Sequence, residues 1–311
     1  MTNTNNANTY KTLITGATGL VGHGLEKKVK GAIPMMGRAE CDVTQQESLV
    51  KWLSEKGLKS PVNLIHCAAD PIVSHPSSKF KYQLENNVVG LYNLFELLPL
   101  DSNSRIINIS SATVYGSNKK IFPDSPMKPE SYYAVTKLTS ELLGMAFKEM
   151  HGTKTVSIRP VAVVGERATH GMLPDICRKI MKAYEENTPE IILMSNSIKP
   201  FVHVDDLQDA LAALIRMPDE CWKECPVGIN VGPEDNVSVE EVVKAAWDYL
   251  CGLDGQKPLP KLSWEGSWKG DAKEIKYGSN VQARTFLGWK PKYKTSIEAV
   301  LAVAKNLLTT F

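Results

Sequence analysis

No apolar stretch in this sequence approaches the ~20 residues that a membrane-spanning helix needs, so a spanning helix is excluded. The opening segment "MTNTNNANTY" has no basic stretch followed by an apolar run, so it is not a secretory signal; it reads as a polar, disordered leader. Charge of one sign is also missing. With 36 Lys and Arg against 34 Asp and Glu, the net charge is +2, too little to recruit nucleic acid or an anionic membrane. Cysteine is sparse, at six scattered residues. Cys221 and Cys225 stand four apart, but no second Cys/His pair completes a zinc set, so no metal is expected. Thiols of this kind read as reduced, and the expected location is the cytosol.

What the sequence does contain is ordinary globular composition, 43% hydrophobic and 23% charged, over 311 residues. That length is enough for one large domain or two smaller ones. Short apolar runs ("KTLIT", "AIPMM", "VNLIHCA", "RIINIS", "TVSIRPVAV", "EIILM", "GINVG") alternate with amphipathic stretches ("QESLVKWLSEKG", "YQLENNVVGLYNLFELL", "KLTSELLGMAFKEMHG"). This alternation predicts an α/β fold, a doubly wound parallel sheet of the Rossmann type with helices on both faces. Past Gly165 the rhythm loosens and prolines multiply. The expectation is a dinucleotide-binding domain over residues 10–165, with strands near 201–232 returning to it, and a smaller α/β substrate lobe over most of 166–311.

Two patterns carry chemistry. In "KTLITGATGLVGHGLEKKV" an apolar strand leads into a glycine turn and then an expected helix. Gly16 permits the tight turn, Gly19 lets the backbone approach a pyrophosphate, and Gly22 brings the helix close to the sheet. Thr18, Leu20 and Val21 complete the loop, and the helix N-terminus presents N–H groups to the phosphates. In "SYYAVTK", Tyr133 and Lys137 are four residues apart and share a helix face, whereas Tyr132 points elsewhere and packs or shapes the substrate pocket. A free tyrosine, with pKa about 10, is a poor base at neutral pH. A nearby ammonium favours phenolate, so Lys137 is expected to lower the Tyr133 pKa while also reaching a nicotinamide ribose. The phenol then exchanges a proton with a hydroxyl as hydride leaves or joins the same carbon.

The Gly-x-x-Gly-x-x-Gly spacing and the Tyr-x-x-x-Lys pair, followed by "RPVAVVG", "FVHVDDL", "INVG" and "LGWKP" in order, resemble the extended short-chain dehydrogenase/reductase family, the NAD-dependent epimerase/dehydratase group. The resemblance runs from about Tyr10 to the C-terminus. It implies that Ser111, just before "ATVYG", hydrogen-bonds the reacting oxygen, with Thr113 as second candidate. It implies that Asp42 and Val43 flank the adenine and that Ala68 and Ala69 let a ribose lie against the backbone. It also implies that Pro160 and Val161 lie near the nicotinamide amide, with Arg159 structural. At the end of the second strand Gly37 stands where NAD-type members carry an acid, and Arg38 follows, which points to NADP with NAD as the alternative.

On the substrate side the resemblance thins. Lys199 and Trp268, with Lys269 beside it, occupy places where relatives acting on nucleotide sugars carry arginines. Lysine binds phosphate as a point charge without the guanidinium fork. His170 is a candidate pocket acid or base, and His203 and Asp205 read as structural. The GDP-fucose synthase type epimerises through a Cys and a His, and the Cys position holds Thr113 here. The expected activity is a nicotinamide-dependent oxidoreductase or epimerase working on a nucleotide-activated sugar by hydride transfer, at C4. The alternatives are a reductase of a non-nucleotide carbonyl compound and a non-catalytic NADP-binding regulatory protein. A homodimer through the helices around residues 80–97 and 132–150 is expected.

Overall fold

The structure, a computed structural model, describes residues 9–73, 75–117, 120–168, 171–255, 257–265, 276–277 and 280–310. Six parallel strands form the central sheet: β1 (Lys11–Thr15), β2 (Ile33–Pro34), β3 (Val62–His66), β4 (Arg105–Ile109), β5 (Lys154–Pro160) and β6 (Gly228–Val231). Their spatial order is β6-β5-β4-β3-β1-β2. Chain order therefore reverses between β1 and β3, and in open parallel sheets ligands bind in the crevice at the carboxyl ends flanking such a reversal.

Strand periodicity sorts the core. Leu13, Leu64 and Ile106 face one side with Leu49 and Trp52 of α1 (Gln46–Glu55). Ile14, Ile65 and Ile107 face the other with Leu207 and Leu211 of α6 (Val204–Arg216). Strands buried on both faces are why these runs read as continuous apolar stretches rather than alternating ones. A second core gathers Ile176 and Ile180 of α5 (Met172–Glu186), Val243 and Trp247 of α7 (Val239–Asp254), and Val300 and Val303 of α9 (Ser296–Thr310).

Several expected elements differ. "EIILM" forms the strand Glu190–Leu193, which pairs with Lys261–Trp264 outside the main sheet. Phe201–His203 pairs with Ala162–Val164 in a separate two-stranded ribbon, so of the strands expected to return near 201–232 only β6 joins the main sheet. The helix expected after the glycine turn is replaced by successive turns and a 3-10 turn at Leu25–Lys27. Gly24, at φ +77°, breaks the right-handed run that Gly19–His23 begins with an N–H(23) to O(19) bond. The phosphate-facing donors are thus those of the turn itself, and no long helix dipole stands behind them.

The helix after β3 is interrupted. α2 (Phe80–Leu84) passes through a π-helical turn (Glu85–Val89) into α3 (Gly90–Leu97). α4 (Tyr132–His151) packs against this segment and against β5. Ser131 caps α4 by accepting from the Ala134 N–H, and Gly152 at φ +69° closes it.

Candidate active site

The glycine turn is pressed against the end of β3. A Cβ on Gly16 would lie 2.7 Å from the Ala68 nitrogen, and one on Gly22 only 2.4 Å from the Gly16 carbonyl oxygen. Thr15 Oγ1 accepts from the Ala68 N–H at 3.1 Å and meets His66 Nδ1 at 2.9 Å. Burial pushes the His66 ring down to about 3, with Lys137 adding to the effect, so this histidine is neutral. The result is a flat backbone floor at the reversal point, with Ala68 and Ala69 partly open beside it. A side chain at Gly16 or Gly22 would collide with this backbone, so the close-packed floor, with no side chain standing on it at those positions, fits the pyrophosphate and ribose of a dinucleotide.

At the outer edge, Gly37 (φ +85°) sits against Thr18, and a Cβ there would approach the Thr18 hydroxyl at 3.1 Å. Arg38 is exposed, donates to Asn86 Oδ1 and lies 5.3 Å from the Tyr82 ring centroid. It is held at the rim of the loop by these two contacts. Asp42 accepts from the Thr44 N–H and hydroxyl in a local turn, and Val43 packs in the core.

α4 carries the candidate reacting groups. Tyr133, Lys137 and Glu141 recur every four residues on its buried face. Lys137 Nζ donates to the Ile109 carbonyl at 2.6 Å and lies 5.9 Å from the Tyr133 ring centroid. Burial lowers its ammonium to about 8, opposed by Cys67 and Glu141. The expected lowering of the Tyr133 pKa by Lys137 is absent. Burial raises the phenol to about 12, Asp70 adds to the rise, and Ser111 opposes it. Desolvation dominates here, and one Lys137 proton is directed at the β4 carbonyl. At neutral pH Tyr133 therefore holds its proton.

Ser111 caps the 3-10 turn Ala112–Tyr115; its Oγ accepts from the Thr113 N–H at 3.2 Å and the Thr113 hydroxyl at 3.0 Å. Two accepted bonds direct the serine's own proton outward as a donor. Tyr132 lies on the opposite face, exposed, with its ring 4.7 Å from that of Phe80.

Arg159 is structural. It forms a buried pair with Glu141, Nη2 to Oε2 at 2.6 Å, and donates to the Tyr115 hydroxyl at 2.6 Å. The pair anchors α4 to β5, whose end carries Pro160 and Val161. His203 caps α6 through Nδ1, and Asp206 accepts from the Lys292 and Tyr293 N–H groups, docking "FVHVDDL" on "LGWKPKY". Lys199 is partly buried in the short strand Ile198–Lys199, and burial alone lowers its ammonium. His170, Trp268 and Lys269 lie outside the described residues.

Sequence reasoning missed three groups. Glu141 is the next residue of the Tyr133/Lys137 stripe and was legible from that spacing. Asp70, directly after "HCAA", accepts from His75 Nε2 at 2.8 Å. Asn87, in the π-helical turn, accepts from the Asp70 N–H at 2.7 Å and donates to the Asp70 carbonyl at 3.1 Å.

Residues 12–232 match the model of the NAD dependent epimerase/dehydratase family. GDP-L-fucose synthase of Dictyostelium discoideum is 24% identical over 308 residues, covering 92% of this chain and 93% of that protein. A UDP-glucose 4-epimerase of Cyamopsis tetragonoloba is 27% identical over 271 residues, covering 81% and 74%. Among solved structures, RMD from Pseudomonas aeruginosa complexed with NADPH superposes with TM-score 0.77 at 18% identity, covering 97% of this chain and all (100%) of that one. UDP-glucuronic acid 4-epimerase from Bacillus cereus, in complex with UDP-glucuronic acid and NAD, superposes with TM-score 0.74 at 20% identity, with the same coverage of 97% and 100%.

Proposed function

The chain belongs to the NAD dependent epimerase/dehydratase family, and from that premise we propose that it is a nicotinamide-dependent oxidoreductase or epimerase acting at a sugar carbon, C4, of a nucleotide-activated sugar. The observation that carries the reading is the convergence of Ser111, Tyr133 and Lys137 at the carboxyl ends of β4 and α4's first turns, beside the Gly16–Ala68 floor. The bound nicotinamide supplies the hydride acceptor or donor. Ser111 donates to the reacting oxygen, and Tyr133 gives or takes its proton. Lys137, with two further protons beyond the one on Ile109, holds the ribose. Lys199, desolvated in the second lobe, supports the substrate's phosphates as a point charge.

A turnover assay over UDP-, GDP-, CDP-, ADP- and dTDP-sugars tests the reading. Nicotinamide-linked conversion of at least one is expected; activity only on non-nucleotide carbonyl compounds would favour the reductase alternative, for which the missing arginines speak. We place the enzyme in the cytosol, supported by six cysteines that all remain free thiols.

The cofactor preference follows from Arg38. A charge-assisted contact to a 2′-phosphate contributes about 1.5–3 kcal/mol, roughly one to two powers of ten in affinity. Calorimetric titration should show NADP bound more tightly than NAD, with Arg38→Ala removing most of that preference and leaving NAD affinity near its original value. Equal wild-type affinities would make Arg38 a bystander. Gly37→Asp is not the clean reversal that its sequence position suggests, because a side chain at φ +85° is strained and crowds Thr18.

A homodimer fits the surface. Tyr82, Val89 and Tyr92 on α2–α3 and Val135, Leu142 and Met145 on α4 are apolar and exposed, spaced seven and three residues apart on each helix. Two such faces bury each other in an isologous pair. Light scattering at micromolar concentration should give twice the 34.3 kDa chain mass, and Leu142→Glu should shift it to the monomer.

A further inference from the structure

The arginine at the rim is held at both ends, and neither hold involves a charge. Arg38 follows Gly37 in a tight turn after β2. The Gly37 carbonyl accepts from the Glu40 N–H at 3.1 Å and the Cys41 N–H at 2.9 Å, and the Gly37 N–H donates to the Met35 carbonyl at 2.9 Å. This turn fixes the root of the side chain. The tip crosses to the interrupted helix, where Nη2 donates to Asn86 Oδ1 in the π-helical turn and the guanidinium carbon lies 5.3 Å from the centre of the Tyr82 ring on α2. Asn86 is itself fixed, its amide donating to the Tyr82 carbonyl at 2.6 Å. The carboxylates adjacent in sequence are engaged elsewhere. Glu40 accepts from the Met36 N–H at 2.6 Å and faces Lys56 at 3.0 Å, and Glu85 faces Lys81 at 3.9 Å. Among the described residues Arg38 has no carboxylate partner.

We propose that Asn86 and Tyr82 are positioning residues that aim Arg38 at the cofactor's 2′-phosphate and so share in choosing NADP over NAD, an inference that rests on the reading of Arg38 given above. A guanidinium carries five N–H donors in a planar fork, and one bond to Asn86 leaves four for a phosphate. The aromatic face attracts the cation without neutralising it. A carboxylate in place of either group would hold the arginine as firmly and cancel the charge that a phosphate meets. A free arginine loses rotamer freedom when it grips a ligand, and one already held by an amide and a ring has lost much of it beforehand. Because β1 lies between β2 and β3 in the sheet, the bridge joins segments that follow the two neighbours of the strand leading into the glycine turn.

Calorimetric titration with NADP⁺ and with NAD⁺ reads the proposal as a ratio of affinities, and the NAD⁺ value of each variant reports that fold and glycine turn are intact. Asn86→Ala and Tyr82→Leu should each lower the NADP⁺ preference by about two- to fivefold, with NAD⁺ affinity unchanged. Asn86→Asp should lower it by roughly tenfold or more, since the new carboxylate pairs with the guanidinium and repels the phosphate. Tyr82→Phe keeps the ring and should match the wild type. In an Arg38→Ala background, Asn86→Ala should change nothing further, because it acts only through the arginine. Tyr82 also lies on the outer face assigned to pairing, so light scattering accompanies its variants, and the Asn86 variants decide where the oligomeric state shifts. An unchanged NADP⁺ preference in both Asn86→Ala and Asn86→Asp overturns the proposal. So does a rise in Asn86→Ala, which would mean that the contact parks the arginine away from the phosphate. An equal loss with and without Arg38 overturns it as well. A wild type with no NADP⁺ preference would sink the reading of Arg38 itself, and this inference with it.

Discussion

Tyr133→Phe should lower turnover by about two to four powers of ten, the usual contribution of a positioned acid or base, while cofactor affinity stays near the wild-type value. The substitution removes only the hydroxyl. The ring remains in its buried place on α4, and the floor made by Gly16, Gly22 and Ala68 is untouched. Because the phenol is raised to about 12, it enters the site protonated at neutral pH. Reduction of a carbonyl can use that proton at once. Oxidation of a hydroxyl needs phenolate, so its rate should climb as pH rises toward the phenol's own value. Tyr132→Phe is the control. Its ring lies outside against Phe80, and its loss of hydroxyl should leave turnover within about twofold. Nicotinamide absorbance follows both variants, and comparable losses in the two would mean that the reacting tyrosine has been misassigned.

Glu141→Ala should destabilise the fold by about 3–5 kcal/mol, because it strands the Arg159 guanidinium in the interior without its carboxylate. Arg159 is almost wholly inaccessible, at 2% exposure, and Glu141 matches it at 2%. The loss reaches further than one pair. Ser110 donates to Glu141, and Arg159 also donates to the Tyr115 hydroxyl, which donates to Asn230 on β6 at 2.9 Å. The network therefore ties α4, β4, β5 and β6 together one turn beyond Lys137. Glu141→Gln keeps the shape and should cost less than the alanine change. Urea unfolding monitored by circular dichroism measures both. A change under about 1 kcal/mol for the alanine variant, the range of exposed pairs, would show that the interior relaxes around the bare arginine.

Local rules made much of this legible. A strand, a glycine turn and small residues at the end of β3 follow from backbone sterics, and the four-residue spacing of Tyr133 and Lys137 follows from helix geometry. What local rules handled poorly was competition. The segment after Gly22 has helical composition, yet Gly24 takes a left-handed conformation and the helix never forms. Lys137 has the right spacing to assist the phenol, yet its ammonium goes to the Ile109 carbonyl and burial decides the phenol's proton affinity. Contacts between distant segments left no signal in the sequence. "DPIVSHP" reads as an unremarkable turn, and nothing in it tells that His75 folds back on Asp70 or that Asn87 fastens the loop. Arg159 reads as structural, but its partner lies 18 residues earlier on another element.

The π-helical turn at Glu85–Val89 has a consequence for any sequence aligned with this one. Such a turn amounts to one surplus residue in an otherwise regular helix. Deleting a single residue from that stretch would restore an ordinary helix and preserve the hydrophobic pattern on each side. The flanking segments would keep nearly their present rotation relative to each other, because the wide turn already absorbs the surplus residue. Asn87 would lose the wide turn that sets it against Asp70 and Thr136. A homologue with a one-residue gap here would keep the glycine turn, the serine, the tyrosine, the lysine and the outer helical face, yet its loop after β3 would need to be fastened anew.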